Sequence, residues 1–218
     1  MNDRTRPEVP AEILEAVADI EPVGEFGSKA WCEACAAGGV KLLKEADLPD
    51  DMEWAFSEVY THAPERFHEG GREVVGYYML VKNGEVTGGD GAPEEVRNTV
   101  GFNITARWAA ICSPSRVLYD GVGSKQRMED AEAMFAAIEE YVGRPNPLGR
   151  GIGPERVWFP EISAALGKNG GLHNIAARMQ APSPEFADLP MTAMDVPDFV
   201  AMTDEQKQYF LKLCGLDM

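Results

Sequence analysis

The sequence predicts an α+β fold with a mostly antiparallel sheet. Two segments with helical periodicity, residues 28–45 and 125–142, enclose a central region of alternating apolar residues. Within that region Asn83-Gly84 separates two β-rich runs, and this pair tolerates the positive φ angles of a two-residue hairpin turn. Strands joined by short turns pair antiparallel, and helices that precede and follow the strands are typical of α+β folds.

Two helices are predicted before the sheet. Residues 8–20 place their aliphatic side chains on one stripe, with Pro10 in the first turn. Ser28 is a suitable N-cap for a second helix, which runs to about residue 45. Gly38 and Gly39, in the middle of that helix, indicate a place where another backbone packs closely.

The pattern of the central region shows four strands. They are residues 53–63, the two arms of a hairpin over residues 72–89, and residues 94–104, where Val96, Val100, Phe102 and Ile104 alternate. A short helix is predicted to follow and to end at Ser113-Pro114.

The chain changes character after the long helix over residues 125–142. Gly143 ends this helix, and the residues beyond it are rich in Pro, Gly and Met. We expect a short helix near 162–166, an extended segment over 181–201, and a last helix that begins with a capping box at residues 203–206. The predicted divisions are an N-terminal helix over 1–24, an α+β domain over 25–143, and an extension over 144–218 that packs on the domain or on a partner.

Composition limits the partners that we expect. The 218 residues carry a formal net charge of -16, which opposes binding to nucleic-acid phosphates and to anionic membranes. No run reaches the roughly 18 apolar residues of a membrane span, and the N-terminus lacks the apolar core of a secretory signal. We therefore expect a cytoplasmic protein with reduced thiols, no nucleic-acid partner and no stable membrane insertion.

The motif Trp-Cys-x-x-Cys at residues 31–35 suggests redox or metal chemistry. A reactive pair lies where a strand meets a helix N-terminus, but no strand pattern precedes Trp31, and Glu33 would raise the pKa of a thiol. A zinc site would need His62 and His68 as further ligands, across a helix, a turn and a strand. We predict instead that Cys32 and Cys35 are two buried apolar residues, and we predict no metal.

Two other groups of residues suggest chemistry. His62 or His68 would form an acid/base pair with a carboxylate, either Glu58 or Glu65, although solvated loop histidines are the simpler interpretation. Three arginines, which would hold an anionic head group or pair with nearby acids, lie close together in the sequence: Arg144, Arg150 and Arg156. The Gly-rich run over 149–156 follows a helix and Pro-Asn-Pro, not a strand, so we expect no dinucleotide and no other cofactor.

The central region resembles the sterol-carrier-protein-2-like family. The resemblance rests on the helix "SKAWCEACAAGG", the strand pattern W-x-F-x-E-V-x-x-x-x-P from Trp54 to Pro64, the hairpin "GYYMLVKNGEVTGG" and the segment "NTVGFNITARWAAIC". It covers roughly residues 28–125, and the long helix and the extension have no counterpart in the family pattern. The resemblance implies a five-stranded, largely antiparallel sheet, with helices on one face, that encloses an apolar tunnel for fatty acids, acyl-CoA or sterols.

The expected function is the non-catalytic binding or transfer of a hydrophobic or amphipathic small molecule. The side chains expected to contact it, with one arginine for its polar end, are Trp54, Phe56, Tyr77, Met79, Phe102, Trp108 and Arg150. The alternative is an enzyme of small-molecule metabolism on the same scaffold, which would use His62 or His68 with Glu58. The extension would also serve to form a homo-oligomer, if its Pro- and Met-rich residues 181–202 cover a partner subunit.

Overall fold

The computed structural model describes residues 5–111, 117–149, 151–152, 155–168 and 171–217. Eight α-helices lie in these ranges: α1 (Ala11–Ala16), α2 (Lys29–Lys44), α3 (Glu94–Asn98), α4 (Trp108–Ile111), α5 (Gly121–Val142), α6 (Pro160–Gly167), α7 (Gly171–Met179) and α8 (Asp204–Leu213). The same ranges hold seven strands: β1 (Gly24–Glu25), β2 (Trp54–Thr61), β3 (Gly76–Lys82), β4 (Glu85–Asp90), β5 (Gly101–Arg107), β6 (Gly151–Ile152) and β7 (Gln180–Ala181).

The main sheet of the described chain has five strands in the order β4-β3-β2-β5-β6. Three of its four pairings are antiparallel, and only β2 and β5 run parallel. Asn83 and Gly84 have φ angles of 52° and 72°, so the predicted hairpin turn between β3 and β4 is confirmed. The predicted α+β class with a mostly antiparallel sheet is therefore confirmed.

The strand register decides which side chains face the helices. Side chains alternate along β2, so Phe56 and Glu58 share one face of the sheet. In the register, Glu58 lies opposite Tyr77 of β3 and Ile104 of β5. Helix α2 covers this face, because Trp31 packs edge-on against Tyr77 with ring centroids 5.9 Å apart. Helix α2 thus covers the face of the sheet that carries Phe56, Glu58 and Tyr77, and this arrangement positions the site described below.

The region between β4 and β5 differs from the sequence prediction. Residues 94–104 were expected to form one strand, but Glu94–Asn98 form helix α3 and strand β5 begins at Gly101. Pro93 precedes the first turn of α3, and two acidic residues there complement the positive end of the helix dipole. Val96 is therefore buried from a helix, not from a strand. Strand β5 also extends to Arg107, through residues that were predicted to be helical.

Two helices begin at the N-cap residues that the sequence predicts, whereas other helix bounds differ from the prediction. The Ser28 side chain accepts a hydrogen bond from the Trp31 backbone N–H at the start of α2, as predicted. The capping box at Thr203 and Gln206 is likewise present at the start of α8. Helix α1 is shorter than the predicted 8–20, whereas α5 begins four residues before the predicted Lys125. Helix α7 was not predicted at all.

The extension from residue 144 onward packs on the rest of the chain. Strand β6 adds to the edge of the sheet beside β5, and β7 pairs with β1 in a separate two-stranded parallel sheet. The Arg107 side chain donates hydrogen bonds to the backbone carbonyls of Leu148, Cys214 and Gly215, which ties three parts of the chain together. None of the helices in the described ranges combines the length and the hydropathy needed to cross a lipid bilayer.

Candidate functional site

A cavity of about 380 Å³ lies on the helix-covered face of the sheet. Its floor is formed by Phe56, Glu58 and Tyr77, and helices α2, α5, α6 and α7 supply most of its walls. Small-molecule sites in proteins usually measure about 300–1,000 Å³, so this cavity is at the lower end of that range. The other residues that line it are Phe26, Trp31, Ile111, Tyr119, Arg127, Trp158, Leu166, Leu172, His173, Ala176, Ala177 and Gln180.

Aromatic rings form a continuous wall around much of the cavity. Ring centroids are 4.7 Å apart for Phe26 and Trp31, and 5.5 Å apart for Phe56 and Tyr77. Trp158 extends this wall to the surface, where 41% of it is exposed. Aromatic rings offer a large apolar area with little conformational freedom, so this wall suits a flat or apolar ligand.

Glu58 is the acidic group on the floor of the cavity. Its Oε2 atom accepts hydrogen bonds from the hydroxyl groups of Tyr60, at 3.1 Å, and Tyr77, at 3.4 Å. Burial, together with the negative charge of Glu58, raises the pKa of both tyrosines well above 10. Both hydroxyl groups therefore keep their protons at neutral pH and hold the carboxylate in place as donors.

Asn174 fixes Tyr119 against helix α7. Its side-chain oxygen accepts a hydrogen bond from the Tyr119 backbone N–H at 3.1 Å, and its amide nitrogen donates to the Tyr119 carbonyl at 2.9 Å. Asn174 is only 1% exposed, so these bonds are shielded from water. The Tyr119 ring then lies against the ring of His173, with centroids 4.2 Å apart.

His173 is a polar but uncharged part of the wall. Its side chain is open to the cavity, yet protein atoms surround the ring on most sides. This partial burial and the positive charge of Arg127 lower the pKa of His173, so its imidazole is neutral at pH 7.

Arg127 of α5 lines the cavity together with Glu58 and Tyr119. Its Nη1 atom donates a hydrogen bond to the Met194 carbonyl at 2.7 Å, which fixes the guanidinium group. Arg127 lines both the main cavity and a second hollow of about 360 Å³, and the two spaces share Glu58, Ile111 and Tyr119 as well. Glu58, Tyr119 and Arg127 therefore border both hollows, whereas His173 and Gln180 border only the main cavity.

The residues predicted to bind the ligand fall into three groups. Phe56 and Tyr77 line the cavity, and Phe102 packs behind it between Phe56 and Trp158. Three others are completely buried away from the cavity walls: Trp54, Met79 and Trp108. The indole N–H groups of Trp54 and Trp108 donate to the carbonyls of Val157 and Phe26, which is typical of core tryptophans. Arg150 lies outside the described residues.

The structure does not bring His62 or His68 to Glu58. His62 has a φ angle of 57°, contacts Thr61 Oγ1 at 3.2 Å and borders a separate hollow with Glu185 and Lys212. His68 hydrogen-bonds to the Arg72 carbonyl at 3.0 Å. The histidine that shares the cavity with Glu58 is His173. The predicted pairing of His62 or His68 with Glu58 is thus not present, and the histidine in the same cavity as Glu58 comes from the extension.

The cysteines of α2 are core residues, as predicted. Cys32 and Cys35 are both 0% exposed. Burial raises the pKa of Cys32 to about 12, although nearby Arg72 acts in the opposite direction, and burial raises the pKa of Cys35 as well. Both are therefore thiols at neutral pH, which are poor nucleophiles and poor metal ligands. Within the described ranges, no three His, Cys, Asp or Glu side chains are placed to hold a metal ion.

Sequence reasoning missed three residues of the site, two of which come from the extension. Arg127 lies on α5, Trp158 precedes α6 and His173 lies on α7, and none belongs to a recognisable motif. One signal for α7 was available, because Leu172, Ala176 and Met179 recur at helical spacing and all face inward. Comparison with known protein families, curated proteins and solved structures found no match for this chain.

Proposed function

We propose that the protein binds or transfers a hydrophobic or amphipathic small molecule in the cavity between strand β2 and helix α7. The observation that carries the proposal is the aromatic wall from Phe26 to Trp158, which encloses about 380 Å³ and reaches the surface at one exposed indole. An exposed tryptophan beside an apolar cavity is unfavourable in water, and a bound ligand would cover it.

Apolar burial supplies the expected binding energy. Each 100 Å² of apolar surface removed from water contributes about 2.5 kcal/mol, and association costs several kcal/mol that this gain must exceed. A ligand that covers Phe56, Tyr77 and Trp158 together meets this requirement more readily than one that contacts a single ring. The polar groups Glu58 and Arg127 then orient the ligand, because a polar ligand group beside them must replace the hydrogen bonds that it loses to water.

We also propose that residues 28–125 are related to the sterol-carrier-protein-2-like family. The four strands β2 to β5, their helix-covered face and a cavity on that face support this relationship. In this chain, however, Arg127, Trp158 and His173 line the cavity from beyond the segment that resembles the family. The extension thus takes part in the proposed binding site.

The proposal is tested with the neutral fluorescent probe N-phenyl-1-naphthylamine. We expect saturable binding to the purified full chain, and native mass spectrometry after mild purification should show a co-purified small molecule. Trp158→Ala should weaken probe binding several-fold, whereas Tyr209→Ala, which removes a similarly exposed ring beside a different hollow, should not. Absence of saturable binding, together with a protein that is always purified empty, would contradict the proposal.

A second candidate function is acid/base catalysis on the same small molecule. The observation in its favour is that Glu58 and His173 line one cavity, with the Tyr119 ring against the imidazole. The lowered pKa of His173 makes it a weak proton acceptor at neutral pH, which is why we place binding first. If a bound ligand is identified, its chemical conversion by the wild type but not by His173→Gln would establish catalysis.

We propose a cytoplasmic protein without nucleic-acid partners, on the basis of the net charge of -16 and the free thiols of Cys32, Cys35 and Cys214. We further propose a homo-oligomer formed through the extension, where Val200 is 72% exposed. Light scattering on a size-exclusion column would reject the oligomer if the mass stays at one chain at all concentrations.

A further inference from the structure

We propose that the free edge of strand β4 binds an extended, basic peptide segment of a partner protein. The segment adds a strand to the sheet and places one apolar side chain in a hollow beside β4. This inference goes beyond the proposed binding of a small molecule, because the hollow and the main cavity have no lining residue in common. It follows from the exposed backbone of β4, the hollow beside it and the charge of the loop that borders the hollow.

Strand β4 lies at the edge of the main sheet, and among the described residues it pairs only with β3. The two-residue turn makes Lys82 and Glu85 a hydrogen-bonded pair, and bonded pairs alternate along the ladder from there. The hydrogen bond from the Gly91 N–H to the Gly76 carbonyl, at 2.8 Å, agrees with this alternation. The N–H and C=O groups of the intervening residues therefore point away from β3, toward the free edge, and these residues are Val86, Gly88 and Asp90.

The edge of β4 is open to a further strand. Natural edge strands are often blocked by proline, lysine or a bulge, and the sequence of β4, Glu-Val-Thr-Gly-Gly-Asp, contains neither of these two residue types. Gly88 is exposed, although a Cβ atom there would lie 2.8 Å from Val40 of α2. Its open side is therefore the backbone at the edge of the sheet. A peptide strand that pairs with β4 would gain main-chain hydrogen bonds at this edge.

A hollow of about 440 Å³, which we call the edge hollow, lies beside β4 at its hairpin end. Val81 and Val86 line it from the sheet. Its other apolar residues come from the end of α2 and the loop after it: Leu43, Ala46, Leu48 and Pro49. An added strand directs every second side chain toward this side of the sheet. One apolar side chain in the edge hollow would fix the register, because a slip by one residue turns that side chain to the other face.

The loop that borders the edge hollow is strongly acidic. Residues 45–53 contain five acidic residues and no basic one, and Asp50 lines the hollow together with Glu85 of β4. Both are exposed and have no salt-bridge partner in the described part of the chain. Lys44 is the one basic residue among the described residues that line the hollow. The local charge therefore favours Lys and Arg side chains, whereas a second copy of this chain, with its net charge of -16, would be repelled.

The proposal is tested with the fluorescein-labelled peptide Lys-Thr-Lys-Phe-Lys-Thr-Lys and the full chain, by fluorescence anisotropy. We expect saturable binding that weakens as salt is added, and no saturable binding of the peptide in which Glu replaces every Lys. Failure of the basic peptide to bind, or equal binding of the acidic one, would overturn the inference.

Two N-methylated forms of the basic peptide test whether it binds as an added strand. One form is methylated at Phe and at both Thr residues, and the other at the last three Lys residues. Successive N–H groups of a strand point to opposite edges, so only one of these two sets faces β4. We expect the form methylated at that set to bind at least about tenfold more weakly than the other form. Equal affinities of the two forms would overturn the inference.

Charge reversal in the protein separates this site from the overall charge of the chain. The double variant Asp50→Lys, Glu85→Lys should weaken binding of the basic peptide at least about tenfold. The matched control is Glu132→Lys, Glu140→Lys, at exposed positions of α5, and it should weaken binding less than about threefold. Equal weakening by both variants would show attraction to the overall charge alone and would overturn the inference. Neither variant changes the main cavity, so both should bind N-phenyl-1-naphthylamine like the wild type, and that measurement tests the proposed function separately.

Discussion

Gly39 of helix α2 lies directly over Met79 of strand β3, so that a Cβ atom at position 39 would overlap the Met79 sulfur. Met79 is 0% exposed and sits between this helix and the sheet. The preceding residue, Gly38, has a different environment, because a Cβ there would meet its nearest neighbour, Ile175 Cγ2, at an ordinary 3.5 Å. Gly39 therefore leaves space for a buried side chain of the core, whereas Gly38 does not.

Alanine substitutions at these two glycines should have opposite effects on stability. Gly39→Ala forces a shift of Met79 in a packed core, and we expect a loss of about 1–3 kcal/mol in the free energy of unfolding. Gly38→Ala adds a methyl group without a clash and favours the helix, so we expect a gain of about 0.5–1 kcal/mol. Urea unfolding followed by far-ultraviolet circular dichroism measures both. Equal effects of the two substitutions would show that Met79 relaxes freely.

Local signals in the sequence predicted the hairpin turn and two helix starts, but not which groups pack against each element. Asn83-Gly84, the Ser28 cap and the Thr203 capping box each act within a few residues, so their outcome does not depend on the rest of the fold. The glycines of α2 correctly indicated a close approach, but the group that approaches Gly39 is the side chain of Met79 and not a backbone. Alternating Val96 and Val100 indicated a strand, where Pro93 and two acidic residues in fact start a helix.

Local sequence signals also did not reveal which residues line the cavity. The alternation along β2 places Trp54, Phe56 and Glu58 on the same face of the sheet. Trp54 does not line the cavity, because it packs against Trp158 instead. Arg127 and His173 reach the cavity through the way α5 and α7 fold back over the sheet. That arrangement depends on long-range contacts, so no short motif could reveal it.

The buried thiols should be inert in the folded protein. Because Cys112 lies outside the described residues, the measurement uses a Cys112→Ser background, in which Cys32, Cys35 and Cys214 remain. All three are 0% exposed, and burial raises the pKa of each. Iodoacetamide near pH 8 should therefore modify them slowly in the native state and completely in urea, as counted by mass spectrometry. Rapid native labelling of Cys32 or Cys35 would revive a redox role for the Cys-x-x-Cys pair.

Asn174 should control the shape of the cavity through Tyr119. Asn174→Ala removes both hydrogen bonds to the Tyr119 backbone, and we expect it to lower the free energy of unfolding by about 1–3 kcal/mol. It should also weaken the binding of N-phenyl-1-naphthylamine, because Tyr119 is part of the wall. Asn98→Ala, at an exposed position in α3, should change stability by less than about 0.5 kcal/mol. Unchanged probe affinity in a folded Asn174→Ala variant would show that Tyr119 keeps its place without this clamp.

The pH dependence of stability should contain a contribution from His173. Partial burial and the Arg127 charge lower its pKa in the folded state from the ordinary 6.5 toward about 3, while a Val117 backbone contact acts in the opposite direction. Between these two values the unfolded chain binds a proton at this residue and the folded chain does not, so the free energy of unfolding falls as the pH falls. His173→Gln removes the imidazole that takes up this proton. The free energy of unfolding of this variant should therefore fall less than that of the wild type between about pH 7 and about pH 5. Urea midpoints at the two pH values, with His62→Gln as the control at a histidine outside the cavity, measure the difference. Equal losses in the wild type and His173→Gln would mean that the imidazole protonates freely in the folded protein, and this would also remove the reason for placing catalysis second.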